Sequence, residues 1–169
     1  MATIAVTLER PRTDLQRVLL GGAVVALLDG VFAVVLYVYI VHATTPGKIF
    51  QGIAAGLIGR SAALEGGGQT VALGLFLHCT VAYAWTTIYY VLLNGLEWLR
   101  DATATTRGRL MVGALFGATI WLGMNYIVVP LAGLKIAPIS GWRFWVQLVW
   151  HMIALGPPLV AIVRVDPNR

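Results

Sequence analysis

Four uninterrupted apolar runs, at 18–41, 71–93, 110–131 and 144–163, constrain this chain more than any motif in it. Each holds about 20 residues or more, which at 1.5 Å per residue crosses a hydrocarbon core roughly 30 Å thick. Inside lipid, backbone N–H and C=O groups must be satisfied within the segment itself, so such runs are helices. Their apolar residues are continuous rather than alternating, which excludes the strands of a membrane barrel. The expected fold is therefore an all-α membrane protein, a four-transmembrane-helix bundle forming one integral membrane domain over 1–169.

Composition agrees. Of the residues, 59% are hydrophobic and 11% are charged, where a soluble domain carries about 25% charged. A single cysteine, Cys79, excludes an intrachain disulfide and any cysteine-based metal site. The first run is longer than the hydrophobic region of a signal peptide and carries Asp29 near its centre. Its only cleavage-like end, Val41-His42-Ala43, fits the small-residue rule poorly, so the run is expected to stay in the protein.

The formal net charge of +5 is explained by where the cations lie rather than by nucleic acid. Arg10, Arg12, Arg17, Arg100, Arg107, Arg109, Arg164 and Arg169 fall on the tails and second loop. Only Lys48, Arg60, Lys135 and Arg143 fall on the first and third loops. The side richer in cations faces the cytoplasm, so both termini are expected inside, in a cell inner membrane whose anionic headgroups attract them. Tyr37, Tyr39, Tyr89, Tyr90, Trp98, Trp142 and Trp145 at the run ends read as interfacial anchors.

The first loop is longer than a plain connection. After Pro46, the residues Ile49, Phe50, Ile53, Ala54, Leu57 and Ile58 share one helical face, and Gly66-Gly67-Gly68 closes the segment. A short amphipathic or re-entrant helix is expected over about 47–64, too short to span. It reads either as a structural cap on the bundle or as a lid over a site. Helix packing in lipid relies on small residues. Gly22, Ala26 and Gly30 recur every four residues in the first run, and Gly113 and Gly117 form a GxxxG pair in the third. Both stripes suit packing within the chain or against a second copy. Pro130 should end the third helix, and Pro157-Pro158 after Gly156 should distort the fourth.

Four polar side chains lie at membrane depth: Asp29, His78, Asn125 and His151. With both termini inside, the helical rise puts His78 and His151 roughly 10 Å below the outer surface, Asn125 at about 8 Å and Asp29 at about 15–18 Å. Each helix contributes one, so they form a candidate polar cluster. Spacing also admits a duplicated hairpin, with Asp29 and His78 echoed by Asn125 and His151. Three readings of the cluster stand open: a structural hydrogen-bond network, proton or small-solute handling by Asp29 and the histidines, and haem ligation by His78 and His151, which share a depth. No HExxH, GxSxG, GxGxxG or P-loop pattern is present, and Glu65 reads as a solvated loop charge, so no catalytic residue is expected.

The stretches IAAGLIGRSAALEGGG, GLFLHCTVAYAWTTIYY, GALFGATIWLGMNYIVVPLAGL and VQLVWHMIALGPPLVAIVR together resemble a group of small bacterial inner-membrane proteins of the YagU-like kind. The resemblance covers about 15–164 and rests most on Gly74 with His78, Met124-Asn125 with Pro130-Leu131, and His151 with Gly156-Pro157. It implies four helices and an inner-membrane location, with a loose link to acid tolerance, and gives the polar residues no chemistry. The expected role is non-enzymatic, without metal or other cofactor: an accessory subunit of a larger membrane complex, a self-associating protein or a membrane-integrity protein. The alternative is a small proton-linked transporter or a haem-binding electron carrier using Asp29, His78 and His151.

Overall fold

The computed structural model describes residues 13–134 and 141–164. Of the charges used for orientation, Arg10, Arg12, Lys135 and Arg169 lie outside the described residues. Among those described there are seven helices: α1 (Asp14–Ile40), α2 (Pro46–Ile58), α3 (Arg60–Glu65), α4 (Gly67–Gly95), α5 (Glu97–Ala102), α6 (Thr106–Leu131) and α7 (Trp142–Ile162). Four of them, α1, α4, α6 and α7, are long and apolar enough to cross a membrane, as the sequence predicts.

Two of these helices, α1 and α6, begin earlier than their apolar runs because their first turns are polar and capped. Thr13 and Gln16 form a reciprocal cap on α1: the Gln16 amide N–H donates to Thr13 Oγ1 at 3.3 Å and the Thr13 N–H to Gln16 Oε1 at 3.0 Å. Thr105 caps α6 by accepting from the Gly108 N–H at 3.0 Å. Hydropathy alone stops short of such turns.

The first-loop segment is two helices rather than one. Gly59, with φ +83°, separates α2 from α3. A side chain in that backbone region would be strained, so a glycine breaks the amphipathic run there. Thr45 caps α2 and Pro46 opens it.

Glycine decides which helices touch closely. A Cβ on Gly117 would stand 2.0 Å from the His151 carbonyl oxygen, and one on Gly156 would stand 1.8 Å from the Gly113 carbonyl oxygen, so α6 and α7 meet backbone to backbone. On α1, Gly22 lies under the Tyr83 ring and Gly30 under the His78 ring, both from α4. Both small-residue stripes are therefore occupied within the chain. In contrast α4 and α6 are held apart by rings: Phe116 meets Trp85 at 6.4 Å and Tyr89 at 5.0 Å. The bundle is tight along α1–α4 and α6–α7 and wider between α4 and α6.

Three of the spanning helices contain a π turn: Val35–Ile40, Met124–Val128 and His151–Leu155. The last two precede Pro130 and Pro157-Pro158. A proline offers no N–H, which releases the carbonyls of the preceding turn from α-helical pairing. The ladder there re-forms one residue longer, with the Gly156 N–H bonded to the His151 carbonyl. This is the local distortion that the proline pair predicts, and α6 ends at Leu131 just after Pro130.

At the end holding residues 13–17 and 164, the buried Arg17 guanidinium donates to the Arg164 carbonyl, and Tyr90 Oη donates to Asp14 at 3.2 Å. These contacts tie α1 to the ends of α7 and α4. Large apolar side chains such as Leu27, Val31, Phe76, Leu115 and Ile153 point outward and are exposed, as lipid-facing positions are.

Candidate functional site

At the other end, α2 folds over the bundle. A Cβ on Gly74 of α4 would stand 1.8 Å from the Phe50 carbonyl oxygen, so this glycine lets α2 press on α4. The contact is latched by polar groups. The buried Gln51 amide donates to Thr70 Oγ1 at 3.2 Å and to the Gly67 carbonyl at 3.3 Å, while Thr70 donates to the Ala63 carbonyl at 2.6 Å. The Phe50 ring meets the His78 imidazole edge to face at 6.0 Å.

Beneath α2 lies a cavity of about 330 Å³. Ile53, Gly56 and Leu57 form its roof, with Ile120, Met124 and Val128 of α6 along one wall. Asp29, His78 and His151 form its polar wall. Sites for small molecules usually enclose roughly 300–1,000 Å³ and are mainly apolar with a few polar groups, and this cavity fits that description.

The polar wall is set by helix register. Phe32, three residues after Asp29, stacks on Trp150, the neighbour of His151, with centroids 4.6 Å apart and planes within 6°. This aligns α1 with α7 and brings His151 Nε2 to 3.5 Å from Asp29 Oδ1. From α4, His78 Nδ1 reaches 3.9 Å from Asp29 Oδ2. The histidine side chains are 11% and 8% exposed for His78 and His151, and that of Asp29 is 34% exposed, so the carboxylate presents itself to the cavity.

Each imidazole commits its other nitrogen to a backbone carbonyl: His78 Nε2 to Ala26 at 2.9 Å and His151 Nδ1 to Gln147 at 2.7 Å. A carbonyl only accepts, so both of those nitrogens carry the proton. In the neutral rings His78 is the Nε2–H tautomer and His151 the Nδ1–H tautomer. The nitrogens that face Asp29 are then lone pairs. With both rings neutral, two lone pairs face the carboxylate across 3.5 and 3.9 Å, and a second proton on either ring would point at it as a donor.

The structure thus brings together three of the four predicted polar residues. Asn125 lies apart: its amide donates to the Trp121 carbonyl of its own helix at 2.9 Å, and the residue does not line the cavity. It sits inside the Met124–Val128 π turn, which adds a residue to the turn and re-phases the helix. The duplicated-hairpin spacing accordingly has no counterpart in the site, since Asn125 and His151 do not form the pair that Asp29 and His78 do.

Haem ligation by His78 and His151 does not fit. The two ring nitrogens not bonded to carbonyls, His78 Nδ1 and His151 Nε2, both face the Asp29 carboxylate, which fills the space that an iron between them would need. Among the described residues no three His, Cys, Asp or Glu side chains are grouped to hold a metal ion. Each carboxylate oxygen faces a different histidine, so the donor atoms do not close on one point.

His78 also borders a second hollow, a groove of about 530 Å³ on the outward side of α1 and α4, lined by Leu27, Val31, Leu75 and Tyr83. Sequence reasoning had no signal for the carbonyls of Ala26 and Gln147, which fix the tautomers, nor for Gln51 and Thr70, which hold the roof. A comparison of the chain with protein families, curated proteins and solved structures finds no match.

Proposed function

We propose that this chain is a small, non-enzymatic, proton-linked solute carrier of a cell inner membrane, with both termini cytoplasmic and its binding site in the cavity beneath α2. The observation that carries the reading is the Asp29 carboxylate, flanked by two histidines and facing an otherwise apolar cavity. Ionisable groups at membrane depth are costly and mark substrate or proton pathways. Three such groups in mutual reach, two of them imidazoles, make a unit that takes up and releases protons as a solute comes and goes. The two glycine stripes that would suit a partner helix are occupied inside the bundle, and what supports a role seated in the cavity is its polar wall.

The test is a thermal-shift screen of purified protein against small amphiphiles of differing charge. A solute at one hundred times its Kd adds about 2.7 kcal/mol, which for a domain of this size raises Tm by about 5–10 °C. Asp29→Asn should abolish the shift. A screen in which no solute raises Tm, or in which the Asn variant responds like the parent, would contradict the reading.

A further inference from the structure

The tautomers determine which solute the cavity takes. We propose that it binds a protonated primary amine with a short apolar tail, the ammonium head seated among Asp29, His78 and His151. This inference rests on the carrier reading and adds the substrate class to it.

With both rings neutral, the carboxylate and the two imidazoles present acceptors only, and Trp85 adds an indole face to the lining. Asp29 offers carboxylate oxygens, and His78 Nδ1 and His151 Nε2 offer lone pairs because the Ala26 and Gln147 carbonyls hold the opposite ring nitrogens as donors. An alkylammonium head has three N–H donors and no acceptor. It ion-pairs with the carboxylate, donates to an imidazole lone pair beside it, and neutralises a charge that the membrane interior penalises. An alcohol brings one donor and leaves the charge uncompensated. A carboxylate ligand brings a second negative charge against acceptors alone. The remaining lining of Ile53, Leu57, Ile120, Met124 and Val128 suits an alkyl tail.

The same three acceptors also take protons, so ammonium and protons compete. Asp29 is faced by His78 from α4 and His151 from α7. The cavity residues of α2 (Ile53, Gly56, Leu57) and of α6 (Ile120, Met124, Val128, Val129) include no titratable group. Each proton that reaches an imidazole turns an acceptor into a donor and repels the ammonium. Binding therefore weakens as pH falls, and a bound amine is released by protons, which is the coupling a proton-linked carrier needs.

The experiment uses the full chain in phosphatidylcholine nanodiscs, with empty nanodiscs as the blank. Hexylammonium, hexanol and hexanoate are titrated by calorimetry at several pH values, and zinc is titrated separately. The expected result is saturable hexylammonium binding at least tenfold tighter than hexanol or hexanoate, weakening as pH falls and at least tenfold weaker in Asp29→Asn. Because the three ligands are compared on the parent chain, the test does not depend on the variant's folding. Hexanol binding as tightly as hexylammonium would leave the cavity reading standing and overturn the amine. Tightest binding of hexanoate would overturn the acceptor-only site. Stoichiometric zinc binding that blocks hexylammonium would reassign the site to a metal and overturn the proposal. Binding of none of the three hexyl probes would overturn both the amine and the carrier.

Discussion

Gly117→Ala asks whether close backbone contact between α6 and α7 positions the site. The added Cβ would stand 2.0 Å from the His151 carbonyl oxygen and 2.6 Å from its carbon, against the 3.4 Å at which ordinary contact begins. The obstacle is backbone in a π turn, so no side chain can swing aside. Overpacking of this kind costs about 1–3 kcal/mol, offset by roughly 0.5–1 kcal/mol because alanine favours a helix over glycine. A net loss of about 1–2 kcal/mol lowers Tm by about 2–8 °C at this chain length. The control is Gly52→Ala in α2, where the new Cβ meets nothing within 4 Å. There only the helix term acts, so Tm should hold or rise by a few degrees. Thermal unfolding in mild detergent, followed by far-ultraviolet circular dichroism, reads both. The Gly117 variant should also bind solute more weakly, because His151 is displaced from Asp29. A Gly117→Ala protein as stable as the parent, or a Gly52→Ala protein that falls by the same amount, would refute the packing argument.

Further predictions concern the roof. Gln51→Ala removes the amide that joins α2 to Thr70 and Gly67, a loss of about 1–1.5 kcal/mol, so amide exchange across Pro46–Ile58 should quicken by about tenfold, and an unchanged rate would deny the latch. A Cβ at Gly56 would lie 2.8 Å from that of Ala132, within about 1 Å of the ~3.8 Å a disulfide needs. In a Cys79→Ser background, Gly56→Cys with Ala132→Cys should therefore cross-link on mild oxidation, and the lack of a cross-link would place α2 elsewhere.

The legible and illegible parts of this fold divide on physical lines. Four spanning helices follow from hydropathy because lipid leaves an apolar run no other way to satisfy its backbone. Asp29, His78 and His151 were visible as ionisable residues where such groups are expensive, and helical rise placed the histidines at one depth. Depth gives height but not azimuth. It could not separate Asn125, whose half-buried amide turns back on Trp121, from the three that meet. The π turns decide that azimuth, and only the prolines beyond two of them hint at where they lie. The amphipathic loop segment was legible as a helix, whereas its break at Gly59 depends on one positive φ. The role of α2 as a roof depends on Gly74 admitting the Phe50 carbonyl, a contact between residues far apart in the chain.

The most direct test of the account reads the imidazole protons themselves. Side-chain ¹⁵N shifts of His78 and His151, assigned with a His42→Asn sample, should show opposite neutral tautomers: Nε2–H for His78, bonded to Ala26, and Nδ1–H for His151, bonded to Gln147. Hexylammonium should then shift the two nitrogens that face Asp29, His78 Nδ1 and His151 Nε2, and Asp29→Asn should remove that response. Finding the same tautomer at both histidines, or ammonium-induced shifts that survive Asp29→Asn, would contradict the site as described.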